Sequence, residues 1–435
     1  IVKMTMKAAA AAVMAVCAAS AAHAAGFMLT EQSAGALGRA YAGAGVDGTD
    51  ISGVYYNPAT MTLHPGTQIQ AGFVAVGLDL AFEGTGKYDD VSENGQYNTQ
   101  AIPHGYISHQ LTDSMWIGLA MTVPFGMGTE YKDDWKLGNR GISAEVLTFD
   151  FNPNVAWKVS DKLSLGAGMS IQYAAADLKM RQDFEVRGTP GSVDGEVDAD
   201  SIAWGFNVGL MWSPLENLRF GLSYRSKINH NADGDFTFSN GQGAGMMLPV
   251  LGKNFNTPYD ASATISTPAW AMATAAWDVN DLLSLYATFR WTDWSSFETL
   301  DIKSDALDIP SVGMGGVKTV ENHWQDTYLV SVGADLRFTN WWTFRAGIGY
   351  ETSAVDDPKY RTAIIPDADR LWLALGSSFK ATENMQIDVS AAWLHGVGER
   401  NLWSTDGSDH KVPEKAGKFE DLDAYLFGVQ LVYKF

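Results

Sequence analysis

From about residue 67 to the C-terminus the chain alternates between apolar side chains and polar or very small ones. Tyr425, Phe427, Val429, Leu431, Tyr433 and Phe435 interleave with Leu426, Gly428, Gln430, Val432 and Lys434. Trp342, Phe344, Ala346, Ile348 and Tyr350 interleave with Thr343, Arg345, Gly347 and Gly349. Leu283, Leu285, Ala287, Phe289 and Trp291 interleave with Ser284, Tyr286, Thr288, Arg290 and Thr292, and the same holds from Thr327 to Phe338. A period of two places successive side chains on opposite faces of an extended strand. A soluble sandwich also alternates, but with shorter strands. Long strands with an apolar face ending in Trp, Tyr or Phe, opposite a polar or tiny face, suit a transmembrane β-barrel with lipid outside and a polar lumen inside.

The connections carry the topology. Short turns fall at Thr112-Asp113-Ser114, Ser160-Asp161, Pro214-Leu215-Glu216-Asn217, Val279-Asn280-Asp281, Thr339-Asn340 and Thr382-Glu383-Asn384. Between them lie longer polar segments at about 84–100, 131–142, 186–198, 240–259, 303–322, 354–367 and 398–420. Six short turns alternating with seven long loops require about fourteen antiparallel strands, with short connections on the periplasmic side and long ones outside. An even number returns both ends to the periplasm. The pattern predicts an all-β, 14-stranded antiparallel transmembrane barrel, with no second domain and no coiled coil.

The N-terminus changes the compartment. Lys3 and Lys7 form a basic start, Ala8 to Ala19 an apolar stretch, and Ala22-His23-Ala24 an A-x-A cleavage signal, so residues 1–24 read as a secretory signal peptide. The single cysteine, Cys17, falls within it, which leaves the mature chain with no disulfide framework. No apolar run long enough for a helical membrane span follows. With 30 Lys+Arg against 50 Asp+Glu, nucleic acid is an improbable partner.

A barrel of this width cannot be filled by its own side chains, since about eight strands already exhaust that capacity. Residues 25–66 precede the first strand, are small and Gly-rich, and lack the charge density of a disordered tail. They are read as a hatch folded inside the lumen, with residues 67–435 as the barrel.

Several segments resemble one family. Ala25-Gly26-Phe27, Leu37-Gly38-Arg39-Ala40-Tyr41 and Asn57-Pro58-Ala59 are similar to the N-terminal hatch of the FadL-type outer-membrane transporters for long-chain fatty acids. The resemblance continues through Thr343-Phe344-Arg345-Ala346-Gly347, Ile365-Pro366-Asp367-Ala368-Asp369-Arg370 and Trp393-Leu394-His395-Gly396, and Phe435 resembles the terminal signature of outer-membrane barrels. It implies passive, ligand-gated uptake of hydrophobic compounds, with lateral release beside a kinked third strand. Relatives of the family include toluene-type hydrocarbon channels, which leaves fatty acid and aromatic hydrocarbon both open.

The third strand contains Pro124, Phe125 and Gly126. Proline gives no N–H to a ladder and glycine weakens one, so this stretch is either a bulge or the kink with its lateral opening. Phe27 matches the family's N-terminal Phe beside the ligand; in a tail it would be an exposed aromatic. Arg181 lies within one residue of a family arginine that meets the ligand carboxylate, and otherwise reads as an outward strand-end cation. The family's second cation falls at Gln325, which weakens the case for a carboxylate. Asn57, Pro58 and Ala59 are expected to latch the hatch, with the Asn57 side chain bonding backbone groups freed at Pro124 and Gly126. The eight histidines show no ligand spacing, so neither a metal nor another cofactor is expected. The acidic run 194–200 reads as a solvated face, or as a divalent-cation bridge to lipopolysaccharide. A general porin, or a barrel enzyme using His104, His109 or His395 as base, fits less well. Expected partners are a hydrophobic small molecule, outer-membrane lipid and lipopolysaccharide, with the barrel acting as a monomer.

Overall fold

A computed structural model describes residues 26–94, 99–186, 189–240, 252–309, 314–405 and 412–435. The signal-peptide reading lies outside these residues.

Fourteen strands close into one antiparallel barrel. They are β1 (Thr67–Gly84), β2 (Gln100–Thr112), β3 (Met115–Thr122 and Gly126–Glu130), β4 (Ser143–Ser160), β5 (Leu163–Val186), β6 (Thr189–Leu215), β7 (Leu218–Arg225 and Ile228–Asn240) and β8 (Tyr259–Thr267 and Trp270–Asp278). The series continues with β9 (Leu283–Thr292 and Thr299–Ile309), β10 (Met314–Glu321 and Thr327–Arg337), β11 (Trp342–Glu351), β12 (Asp369–Lys380), β13 (Met385–Val397) and β14 (Lys415–Lys434). Each pairs with its sequence neighbour, and β1 pairs with β14 from Gln68–Lys434 to Gly84–Gly417, which closes the circuit.

The alternation resolves as the sequence requires. On β9, Ser284, Tyr286, Thr288 and Arg290 are buried toward the lumen while Leu285 and Phe289 face outward. Exposed aromatics form two outer girdles. Trp157, Trp212, Trp277 and Trp341 stand near the short turns, and Tyr328, Tyr350 and Tyr425 stand toward the opposite rim. These amphipathic rings suit the two membrane interfaces.

The strands are longer on the outer side than hydropathy indicates. Segment 186–198, expected to be a loop, is mostly the continued β5–β6 hairpin, paired from Asp177–Asp198 to Val186–Thr189. Parts of 303–322 and 398–420 are likewise strand. Above the membrane a ladder needs backbone partners but no apolar face, so polar composition concealed it. Much of 240–259 falls outside the described residues.

Residues 26–66 fill the lumen as short helical turns: α1 (Ala34–Leu37), α2 (Gly53–Tyr56) and a 3-10 turn at Pro58–Leu63. Nearly every side chain here is buried. The tiny residues on the inner wall are where this backbone touches it. A Cβ placed on Gly347 would lie 2.2 Å from the Arg39 carbonyl carbon. Gly376 and Gly428 meet Gly38 and Ala34 in the same way.

Buried charge then fixes the hatch in place. Arg39 pairs with Asp47 of the hatch and, at 2.8 Å, with Asp335 of β10. Burial opposes ionisation of Asp47, but Arg39 and Arg345 hold its carboxyl at about 2. Arg345 of β11 reaches Asp388 of β13 at 3.2 Å and the carbonyl of Gly35 at 3.2 Å. Arg225 of β7 binds Asp150 of β4 at 2.9 Å and the carbonyl of Tyr55 at 3.1 Å.

Candidate functional site

The third strand carries one residue too many. In its lower part Thr122 faces Asp150 of β4, and in its upper part Gly126 faces Leu147. Three residues, Val123, Pro124 and Phe125, therefore oppose two, Thr148 and Phe149. This is a one-residue bulge, and Pro124 contributes no N–H to heal it. On the other side, the β2–β3 ladder runs only from Gly105–Met121 to Thr112–Met115. Beyond Gly105, residues Gln100–His104 of β2 pair with β1 but have no ladder partner toward β3. The wall is thus split beside the bulge.

The start of the hatch fills that position. The N–H of Leu29 donates to the Pro124 carbonyl at 2.8 Å, and the N–H of Gly126 donates to the Phe27 carbonyl at 2.9 Å. The Gln32 side chain donates to the Val123 carbonyl at 2.7 Å and accepts from the Val123 N–H at 3.3 Å. The backbone groups orphaned by the bulge are therefore satisfied by residues 27–32 and, at Phe125, by Thr148, as buried polar groups must be.

This corrects the expected latch. Asn57 does not reach Pro124 or Gly126. Its side-chain amide donates to the carbonyl of Leu210 on β6 at 3.0 Å, and its carbonyl oxygen accepts from the N–H of Ala59 at 3.1 Å, capping the 3-10 turn. Pro58 and Ala59 pack on Gly166 of β5, so the motif docks the far end of the hatch on the wall at β5 and β6, away from the bulge. Gln32 is the residue that sequence reasoning missed. An amide is the side chain that can both donate to and accept from the backbone of one distorted residue, but nothing in its spacing marks it.

Phe27, 1 % exposed, sits in an aromatic box. Its ring centroid lies 4.7 Å from Trp294, 5.7 Å from Phe297, 6.0 Å from Phe125 and 6.1 Å from Trp324. Edge-on contacts of this kind hold a ring in place without locking it covalently. Gly26 has φ +63°, and a Cβ there would lie 2.7 Å from both Trp294 and Trp324, so only glycine delivers Phe27 into the box. The structure thus brings Phe27 together with the Pro124–Gly126 bulge.

Arg181 does not join them. It is neither outward-pointing nor free: it donates to Asp194 at 2.8 Å and to the carbonyls of Trp135 and Asp133 at 3.1 and 2.6 Å, tying the β3–β4 loop to the upper wall. Gln325 donates to the Ser353 carbonyl at 3.2 Å. Of the histidines considered as bases, His104 is buried, His109 meets Thr67 Oγ1 at 2.7 Å, and His395 meets Asp423 at 2.8 Å on the outward-facing side of the wall. Among the described residues no cluster of His, Cys, Asp and Glu has metal-holding geometry.

The comparisons fit this geometry. A family model described as outer membrane protein transport protein (OMPP1/FadL/TodX) matches residues 15–435. The chain is 27% identical to a long-chain fatty acid transport protein of Escherichia coli O6:H1, with 94% of each covered, and 28% identical to outer membrane protein P1 of Haemophilus influenzae strain Rd, with 96% of this chain and 97% of the other covered. Among solved structures, a Pseudomonas aeruginosa FadL homologue superposes with TM-score 0.83 at 24% identity, over 94% of this chain and 100% of that one. The toluene transporter TbuX of Ralstonia pickettii superposes with TM-score 0.67 at 18% identity, over 93% and 98%. A whole-length family match, on a closed barrel with a plugged lumen and a split third strand, places the chain in the outer membrane as a member of the OMPP1/FadL/TodX family of outer membrane transport proteins.

Proposed function

We propose that the protein takes up long-chain fatty acids or similar hydrophobic compounds across the outer membrane, passively, with the hatch as ligand-operated gate and lateral release beside the bulge in β3. The observation that carries this reading is the pairing of residues 27–32 with the bulge. The segment that presents Phe27 to the aromatic box is the same segment that seals the split wall. A ligand that displaces Phe27 also loosens the seal.

The energetics favour a sideways path. Each methylene kept from water is worth about 0.8 kcal/mol, so an acyl chain leaving into the periplasm forfeits most of what the lumen gave it. Exit into the hydrocarbon of the bilayer retains it. Outer-membrane lipid and lipopolysaccharide surround the barrel in this reading, and the closed β1–β14 seam lets one chain act alone. No catalytic step enters.

Uptake of labelled oleate by cells lacking their own transporter, with and without this protein, tests the reading. Saturable uptake above background is expected. Labelled toluene taken up in place of oleate supports the second reading, an aromatic-hydrocarbon channel. That reading is favoured by the all-ring surroundings of Phe27 and by the neutral Gln325 where the family carries a cation.

Phe27→Ala removes the ring that a ligand must displace from the box, with several edge-on contacts at about 0.5–1.5 kcal/mol each, so the half-saturating oleate concentration should fall about tenfold. A titration that leaves it unchanged removes Phe27 from the ligand site. Asn57→Ala loses a cap worth about 1 kcal/mol and one tether to β6, and should alter uptake without altering barrel assembly, read as heat-modifiable migration. Equal uptake would exclude Asn57 from gating.

A further inference from the structure

A buried charge cluster adjoins the aromatic box and has no part in the route above. Arg290 of β9, Glu351 of β11 and Arg370 of β12 face hatch residues Thr30 and Glu31, and all five are buried. Arg290 donates to Glu351 Oε1 at 2.7 Å and to Thr30 Oγ1 at 3.0 Å. Arg370 pairs through Nη2 with Asp367, but its Nη1 has no hydrogen-bond partner. It stands 4.0 Å from Glu351 Oε2, which also lacks a partner, as does Glu31 Oε2. Arg361, 1 % exposed, directs its donors to the backbone carbonyls of Asp367, Asn401 and Glu399 at 3.0, 2.7 and 2.9 Å.

The charges do not balance. Three buried guanidinium groups, Arg290, Arg361 and Arg370, stand against the carboxylates of Glu351 and Asp367. The third acid, Glu31, is pushed up to about 7 by burial and by Glu351, against the pull of Arg290 and Arg370. Asp369 is half-buried and engaged by Tyr350 and Ser353, and Glu399 is exposed. A positive excess with an unfilled guanidinium N–H calls for one more anionic acceptor.

The cluster is linked to the box by two short stretches of chain. Thr30 lies three residues beyond Phe27. Trp324 leads through Gln325, whose N–H meets the Ala354 carbonyl at 2.8 Å, to Ala354, whose N–H meets Asp367 at 2.6 Å.

We propose that this cluster receives the carboxylate head of an acyl ligand whose chain lies against Trp324 where it displaces Phe27, with Arg370 Nη1 as the donor. The inference rests on the fatty-acid reading and deepens it. It supplies the cation that Gln325 lacks and that Arg181 has committed to Asp194. It also links occupancy to opening, because the arriving carboxylate repels Glu31 and competes with Thr30 for Arg290, and both are hatch residues.

The test is titration of the purified full chain in detergent with oleate and with methyl oleate, read by tryptophan fluorescence. The readout is the ratio of the two affinities. The wild type should prefer oleate by about tenfold, the value of one charge-assisted bond, and Arg370→Gln should bring the ratio close to one. A structural role for Arg370 would weaken both ligands and leave the ratio intact, and that result overturns the proposal. Should Arg370→Gln fail to assemble, Glu31→Gln decides. At about pH 8 it removes a neighbouring negative charge and should raise the preference for oleate several-fold, and an unchanged ratio overturns the proposal. Equal wild-type binding of both ligands overturns the head-group site alone. Failure of both to bind overturns the fatty-acid reading with it.

Discussion

Arg39→Ala should turn a plugged barrel into a leaking one. Arg39 is fully buried between Asp47 of the hatch and Asp335 of the wall, and its guanidinium also lies 4.1 Å over the ring of Tyr286. Truncating it leaves two carboxylates in a site closed to water. Breaking a buried pair by removing one partner typically costs about 3–5 kcal/mol. The barrel does not bear that cost, because its ladders run strand to strand around the full circuit without the hatch. The loss therefore falls on hatch docking, and Asp47 can regain solvent only if the hatch shifts. Single-channel recording in planar bilayers should show conductance well above wild type, with heat-modifiable migration unchanged. Asp335→Asn, which keeps a hydrogen-bond acceptor but removes the charge, should leak less. Conductance equal to wild type in both variants would mean that packing of the backbone against Gly347 and Gly376 holds the hatch without help from charge.

What could be read from the sequence follows from which signals are local. Each membrane-spanning stretch carries its own two-residue period, so the strand count, the inward set on β9 and the position of the short turns were all legible. The hatch was legible as well, since a wide barrel needs filling and a Gly-rich segment stood ahead of the first strand. The outer extension of β5 and β6 was not, because above the membrane a hydrogen-bonded strand and a polar loop have the same composition.

At the site, Pro124 and Gly126 announced a distortion and Phe27 announced an aromatic anchor. Their meeting depends on how residues 27–32 cross the lumen, which no periodicity encodes. The Asn57 latch was misplaced for the same reason: a motif states its chemistry but not which wall it meets. The Arg290–Glu351–Arg370 cluster was invisible because its members sit in three separate strands, each looking like an ordinary polar inward position.

Deleting Pro124 should abolish uptake while leaving a folded, ligand-binding barrel. The bulge in β3 is one residue long, since Thr122–Asp150 and Gly126–Leu147 differ by a single step in register. Removing one residue lets Val123 face Phe149 and Phe125 face Thr148, so the β3–β4 ladder can run unbroken. It also removes the residue that cannot donate to a ladder. A straight upper β3 lies alongside Gln100–His104 of β2, whose unpaired edge is a ready template for it. The split closes for the same reason that any exposed strand edge recruits a partner. The seal no longer depends on Leu29 and Gln32, so displacing Phe27 no longer opens a path. Oleate titrated against the purified variant should still quench tryptophan fluorescence, because Trp294, Phe297 and Trp324 are untouched. Uptake of labelled oleate by cells should fall at least about tenfold, as expected when the lateral exit is gone and a chain must instead pass through water at about 0.8 kcal/mol per methylene. Uptake at the wild-type rate would show that the ligand leaves along the barrel axis, and the bulge would then be only the dock for the N-terminal segment.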